Sequence, residues 1–139
     1  MTTKDKGDIA EAMVLAVLVE HGYTVLIPWG DNKRYDLAVD FDGKIYRIQC
    51  KTAHRTKDGC IRFQTYSVTT KDGKPIRMKY DPSQIDIFMV YWPEEKRVYT
   101  VPISDVTSTD PRLRLIPTKN GQSKGVKMAS QYEFNGTLR

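Results

Sequence analysis

The sequence predicts an α/β (α+β) fold in which one amphipathic helix packs on a mixed sheet. Three observations carry that expectation. Apolar residues recur at helical spacing over residues 4–21. Short alternating segments bounded by turn residues follow. One nearly continuous apolar run, IDIFMVYW at 85–92, reads as a central strand. The chain of 139 residues has the size of one domain, 1–139, and can bury a core without disulfides or structural metals.

The elements follow in order. In the helix, Ile9, Ala12, Met13, Ala16, Val17 and Val19 or Glu20 form an apolar stripe, which Leu15 and Leu18 widen. Thr3 or Asp5 is expected to cap its start, His21 lies at its end, and Gly22 sits where a helix-terminating glycine belongs. YTVLIP (23–28) reads as a short strand ended by Pro28, and WGDNK as a turn. Strands at 34–41 and 44–51 are joined at Asp42-Gly43, a strong hairpin signal. CIRFQTYSV (60–68) alternates as a further strand, and TKDGKP (70–75) reads as the tip of an exposed hairpin within 60–80. YDPSQ (80–84) suggests a helical turn with Pro82 at its first position. After the central strand, PEEK turns the chain back into RVYTVPI (97–103), and Ser104–Val106 reads as a small helix. Residues 107–139 form a basic C-terminal extension with Arg112, Arg114, Lys119, Lys124 and Lys127. It is expected to be loop, with a short strand at 113–116 and a weak last element, ASQYEF (129–134). Trp29 and Trp92 are expected to be packing residues.

Composition excludes several classes. A hydrophobic content of 40% with 28% charged residues is that of an ordinary globular protein. No apolar run is long enough to span a membrane. MTTKDKGDIAEA does not have the layout of a signal peptide. Cys50 and Cys60 form neither a metal-ligand spacing nor a disulfide framework, so both read as reduced, buried thiols of a cytoplasmic protein. The net charge of +5 is unevenly placed: residues 43–80 carry ten Lys/Arg against two Asp/Glu, while the rest of the chain is net acidic. A concentrated positive segment points to a polyanion such as DNA or RNA.

The hairpin RYDLAVDFDGKIYRIQCKT carries the candidate chemistry. A two-residue turn at Asp42-Gly43 sets Phe41 opposite Lys44, which brings Asp36 opposite Gln49 and Arg34 opposite Lys51. Side chains alternate. Tyr35, Leu37, Val39, Phe41, Tyr46, Ile48 and Cys50 then form the core face, and Arg34, Asp36, Asp40, Arg47, Gln49 and Lys51 the other. Opposed Cβ atoms lie about 4.5–5.5 Å apart, close enough for the Asp36 carboxylate and the Gln49 amide oxygen to share an ion. With the backbone carbonyl of Cys50, these oxygens suit a hard divalent cation such as Mg²⁺. Lys51 is placed to assist at a phosphate or an attacking water beside it. Glu11 falls near the apolar side of the helix, where a carboxylate costs stability unless it is paired or binds a cation.

Taken together, KGDIAEA, YDLAVD, YRIQCKT and the later IDIFMVYWPEEKRVYTVPI resemble the PD-(D/E)XK nuclease superfamily. Within it, the resemblance is to the bacterial group I intron homing endonucleases that use this fold, and it runs from Lys6 to about Val106. It implies a restriction-endonuclease-like αβββαβ core, a mixed sheet flanked by helices, here with an extra exposed β-hairpin. It also implies Mg²⁺-dependent hydrolysis of DNA phosphodiesters, with Mn²⁺ as the expected substitute. By position, the family's catalytic residues fall on Glu11, Asp36, Gln49 and Lys51, with metal ligation by the first three. Tyr35 stands where many members have proline, and Gln49 replaces an acidic residue.

The expected activity is sequence-specific cleavage of double-stranded DNA by an intron-encoded enzyme acting as a homodimer or homotetramer. A Holliday-junction resolvase, a restriction or repair nuclease of the same fold, or a non-cutting DNA-binding module are the alternatives. Lys33, Arg34, Arg47, His54, Arg55, Lys57 and Arg62 are candidate DNA-binding residues beside the site. Gln64, Lys71, Lys74, Arg77 and Lys79, with Tyr66 and Thr69, are candidates on a β-ribbon suited to the major groove.

Overall fold

The structure, a computed structural model, describes residues 1–31, 33–118, 120–121 and 125–138. Asn32 of the WGDNK turn, and Lys119 and Lys124 of the basic extension, lie outside the described residues.

The helix, α1, spans Thr3–Glu20. Its cap is Thr2, one residue ahead of the expected position. The Asp5 amide donates to the Thr2 hydroxyl at 3.1 Å and the Thr2 amide donates to the Asp5 carboxylate at 2.9 Å, a reciprocal capping box. At the other end, the Gly22 amide donates to Val19 O and the Tyr23 amide to Leu18 O, both at 3.0 Å. This Schellman arrangement needs the left-handed backbone that Gly22 adopts at φ +86°. The buried line is Ala10, Val14 and Leu18. That corrects the expected stripe: Ile9 and Val19 are 39% and 56% exposed. Apolar side chains run nearly round this helix, so spacing alone does not set its rotation; the sheet beneath it does. Leu18 is fully buried, and Leu18→Ala is expected to cost about 3 kcal/mol, read as a lower urea midpoint at unchanged slope.

The strands are β1 Thr24–Leu26, β2 Leu37–Phe41, β3 Lys44–Thr52, β4 His54–Arg55, β5 Cys60–Arg62, β6 Tyr66–Lys71, β7 Lys74–Lys79, β8 Ile87–Trp92, β9 Arg97–Pro102 and β10 Arg112–Arg114. Five of them form the main sheet in the order β1-β2-β3-β8-β9. β3 and β8 run parallel and the other pairs antiparallel. The β2–β3 register is the expected one from Phe41 opposite Lys44 to Leu37 opposite Ile48, but the ladder ends there and the expected Asp36–Gln49 and Arg34–Lys51 pairs are not formed. Asp42 and Gly43 have φ +53° and +77°, as a mirror-image two-residue turn requires.

The sheet is covered on both faces. Leu37, Val39, Ile48, Cys50, Met89 and Tyr91 pack under α1. Phe88, Val90, Tyr99 and Val101 pack with Ile61, Phe63 and Leu113 from the small sheet β10-β5-β4 and its flank. β8 is therefore buried along its whole length, as its apolar run predicts. With this second cover, the hairpin face opposite the helix is partly enclosed around Gln49 and Lys51. Tyr35 joins this second cluster instead of lying with Leu37, because the chain has already left the strand there.

The segment 60–68 is not one strand. Phe63 and Thr65 donate their amides to Pro111 O and Thr109 O, at 3.4 and 2.9 Å, which diverts the chain between β5 and β6. Among the described residues β6 and β7 pair only with each other, around Asp72-Gly73. Parallel crossovers usually carry a helix. Here the path from β3 to β8 carries β4 to β7 and a single turn at Asp81–Gln84, closed by the Gln84 amide on Asp81 O at 2.9 Å. The small helix expected at Ser104–Val106 is a 3-10 turn, Ile103–Asp105, and a second such turn spans Ala129–Gln131. Trp92 is buried as expected; Trp29 is 95% exposed, which overturns its reading as a packing residue. No helix among the described residues is long and apolar enough to cross a membrane.

Candidate active site

The two strands of the hairpin differ in length, and the difference makes the site. β2 begins at Leu37, whereas β3 continues to Thr52. Gln49, Cys50, Lys51 and Thr52 thus pair with β8 on one side and outrun β2 on the other. Asp36 occupies the notch. Its amide donates to Ile48 O at 2.9 Å, and its Oδ2 accepts the Cys50 amide at 3.0 Å. One carboxylate oxygen thereby closes the free edge of β3 and the other is left to the site. In an extended strand, the N–H and C=O of one residue face the same neighbour. The Cys50 carbonyl accordingly opens into the same notch as Asp36.

Gln49 and Lys51 share one face of β3, away from α1. The Gln49 Oε1 is buried and accepts no hydrogen bond from any of the described residues. The Lys51 ammonium donates to Tyr66 O at 3.0 Å and lies 5.0 Å from the centre of the Tyr80 ring. Tyr80 in turn meets Phe88 edge-on, with 5.7 Å between ring centres. Burial pushes Lys51 down to about 8, against the pull of Asp36, and the nearby Arg34 charge lowers it further. Burial raises the Asp36 carboxyl, opposed by the Cys50 amide and by Lys51. Glu11, on α1, is near enough to Asp36 to feel its charge. Its carboxyl is raised first by burial, then by the negative charges of Asp36 and Asp8. Cys50, on the helix side, is a free thiol raised well above its usual range by burial.

The expected basic residues divide into two sets. Arg34 and Arg47 already have protein partners. The Arg34 guanidinium donates to Ser67 Oγ, Met78 O and Lys79 O and lies 3.9 Å over the Tyr80 ring. It ties the base of the β6–β7 hairpin to the site. Arg47 is paired with Asp86 at 3.1 Å and donates to Pro82 O and Ser83 O, which braces the turn before β8. Lys33, His54, Arg55, Lys57, Arg62, Gln64, Lys71, Lys74, Arg77 and Lys79 are exposed. Within the ribbon, Arg77 lies 4.6 Å over the Tyr66 ring. Tyr66 and Tyr80, which hold Lys51, were not among the residues that spacing singled out for the site itself; an isolated tyrosine carries no such signal in a sequence.

Among the described residues no three His, Cys, Asp or Glu side chains cluster as a metal site. The acids near the notch are two, Glu11 on α1 and Asp36 ahead of β2; Gln49 and the Cys50 carbonyl belong to β3. A buried amide oxygen without a donor is the feature that fits a cation, because a cation satisfies an acceptor that no N–H or O–H reaches.

The mixed sheet, the single long helix and the splayed strand end define a restriction-endonuclease-like fold. The chain belongs to the PD-(D/E)XK endonuclease family, whose sequence model matches residues 1–135. It is similar in structure to a bacterial homing endonuclease, I-Ssp6803I, with a TM-score of 0.78 and 26% sequence identity over 96% of this chain and 89% of that one. It is also similar to Protein 5.3 of Escherichia phage T7, 29% identical over 100 residues that cover 68% of this chain and 76% of that protein.

Proposed function

We propose that this protein is a Mg²⁺-dependent, sequence-specific endonuclease of double-stranded DNA, of the intron-encoded homing type. The observation that carries the reading is the buried Gln49 oxygen, without a hydrogen-bond partner among the described residues and on the same face of β3 as Lys51, in a chain of this family. Similarity to a homing endonuclease over nearly the whole chain supports the finer assignment.

Glu11, Asp36, Gln49 and the Cys50 carbonyl would hold the cation. When bound, it supplies positive charge to the scissile phosphate and makes a water more acidic. Asp36 orients the edge of β3 through the Cys50 amide, so the ligands are set before substrate arrives. Lys51 is held by Tyr66 O and Tyr80 with its ammonium beside the phosphate, where it stabilises the charge that develops as water attacks and the leaving oxygen departs. The β6–β7 ribbon lies against the DNA through Lys71, Lys74, Arg77 and Lys79, with Gln64 at its base. Lys33, His54, Arg55, Lys57 and Arg62 line the approach. One chain has one such site, and two strands need two cuts, so a symmetric homodimer or homotetramer does the work.

The test is cleavage by the unmodified protein of a long duplex and of a synthetic four-way junction, each with Mg²⁺ or Mn²⁺. Discrete duplex fragments are the expected result. Junction-selective cutting would show a resolvase. Tight binding without cutting at any concentration of either metal would sink the nuclease assignment.

A further inference from the structure

Gly7 is a glycine that the fold does not use. It lies inside α1, where glycine is less favourable than alanine. Its φ is not positive, so no special backbone conformation requires it. A Cβ built there meets no atom within 4 Å, so no packing partner excludes a side chain. What lies over Gly7 is a cavity of about 440 Å³ between the first turns of α1 and the ends of β3 and β5. Lys6, Lys51, His54 and Arg62 contribute to its wall, and no carboxylate does. Its two sides are pinned together where the Thr52 hydroxyl donates to Lys6 O at 3.4 Å. The cavity opens directly onto Cys50 and Lys51 of the candidate active site.

We propose that this cavity seats the sugar–phosphate backbone of the cleaved DNA strand next to the scissile phosphate. Gly7 is glycine so that the backbone can pass close against α1. Lys6, His54 and Arg62 neutralise the phosphate there. The proposal rests on the DNA-nuclease reading above and adds Lys6, Gly7 and Thr52 to its binding surface. A solvated basic surface would leave this helix position free to be alanine. A surface fitted to a passing chain keeps it bare.

The experiment measures two properties of the same variant. Thermal melts and anisotropy titrations of a fluorescein-labelled, random-sequence duplex, without divalent metal, compare the parent with Gly7→Ala and Lys6→Gln. Gly7→Ala is expected to raise Tm by about 2–4 °C while weakening DNA binding by about tenfold. Lys6→Gln is expected to weaken binding and to reduce the slope of log Kd against log salt by about one. If Gly7→Ala binds DNA like the parent, the proposal is overturned and the nuclease reading stands. If it lowers Tm together with affinity, Gly7 serves the fold and the proposal is equally overturned. If the parent itself binds no DNA, the nuclease reading falls first and takes the proposal with it.

Discussion

Replacing Lys51 with methionine is expected to lower DNA cleavage by about 10³-fold or more, the scale for losing a charge aimed at a transition state. Duplex binding should change by less than about threefold, since one buried ammonium contributes little beside the exposed basic residues. The same variant is expected to be more stable than the parent. The cause is visible around the side chain: the ammonium is buried, with one carbonyl and one ring for company, and sits near the Arg34 charge. Its folded pKa, about 8, lies below the unfolded value. The unfolded chain therefore binds more protons between about pH 8 and 10.5, and this group's contribution to stability rises with pH across that window. Below it, the cost of the buried charge is present in full. Lys51→Met removes that cost at neutral pH, by on the order of 1–3 kcal/mol, less the loss of the hydrogen bond to Tyr66. The advantage should fade in melts taken from pH 8 to pH 10.5. Equal stability at pH 7 would show that Lys51 is not held as a buried charge. An unchanged cleavage rate would remove it from the site.

Some of this arrangement was legible in the residues and some was not. The Asp42-Gly43 turn forces its own register, so the approach of Asp36 to β3 follows from counting along two strands. β8 was legible because a strand covered on both faces has no polar phase. The rotation of α1 was not, since Ile9 and Val19 are as apolar as Val14 and Leu18, and only packing against the sheet chooses between them. Nor was the partial burial of Gln49 and Lys51. Alternation distinguishes two faces but does not say that β4, β5 and β10 return to cover the second one. Cys60 to Val68 reads as one alternating strand, yet Phe63 and Thr65 give their amides to residues 109–111, nearly fifty positions away, and such a bond leaves no local signature. The guanidinium clamp of Arg34 on the hairpin base is hidden for the same reason. The lesson for basic residues is that charge marks a surface, while partners decide which charges remain available. Arg34 and Arg47 are engaged within the protein; Lys33 and Arg62 are exposed.

Gln49 separates a metal site from a polar accident, and two substitutions should pull those readings apart. Its Oε1 is buried with no donor in reach, which costs about 1–3 kcal/mol in a fold that gains nothing from it. Gln49→Leu removes the orphaned oxygen and keeps a similar bulk. The metal-free protein should melt higher, and Mg²⁺ should no longer raise its Tm as binding to the native state does in the parent. Cleavage should fall by about 10²-fold or more, because the oxygen set loses a ligand. Gln49→Glu acts in the opposite sense on the cation and on the apo protein. A third carboxylate beside Asp36 and Glu11, both already raised by burial and by Asp36 acting on Glu11, adds like-charge repulsion. The metal-free Tm should therefore drop, and Mg²⁺ should restore it at a lower concentration than the parent needs. Titrating Mg²⁺ against Tm and against cleavage for the parent and both variants reads all of these at once. A neutral ligand then has a physical rationale: it relieves a crowded anionic notch in the absence of metal and accepts weaker metal binding in return. If Mg²⁺ moves the Tm of the parent and of Gln49→Leu equally, the buried amide is not a ligand and the cation must sit on other oxygens.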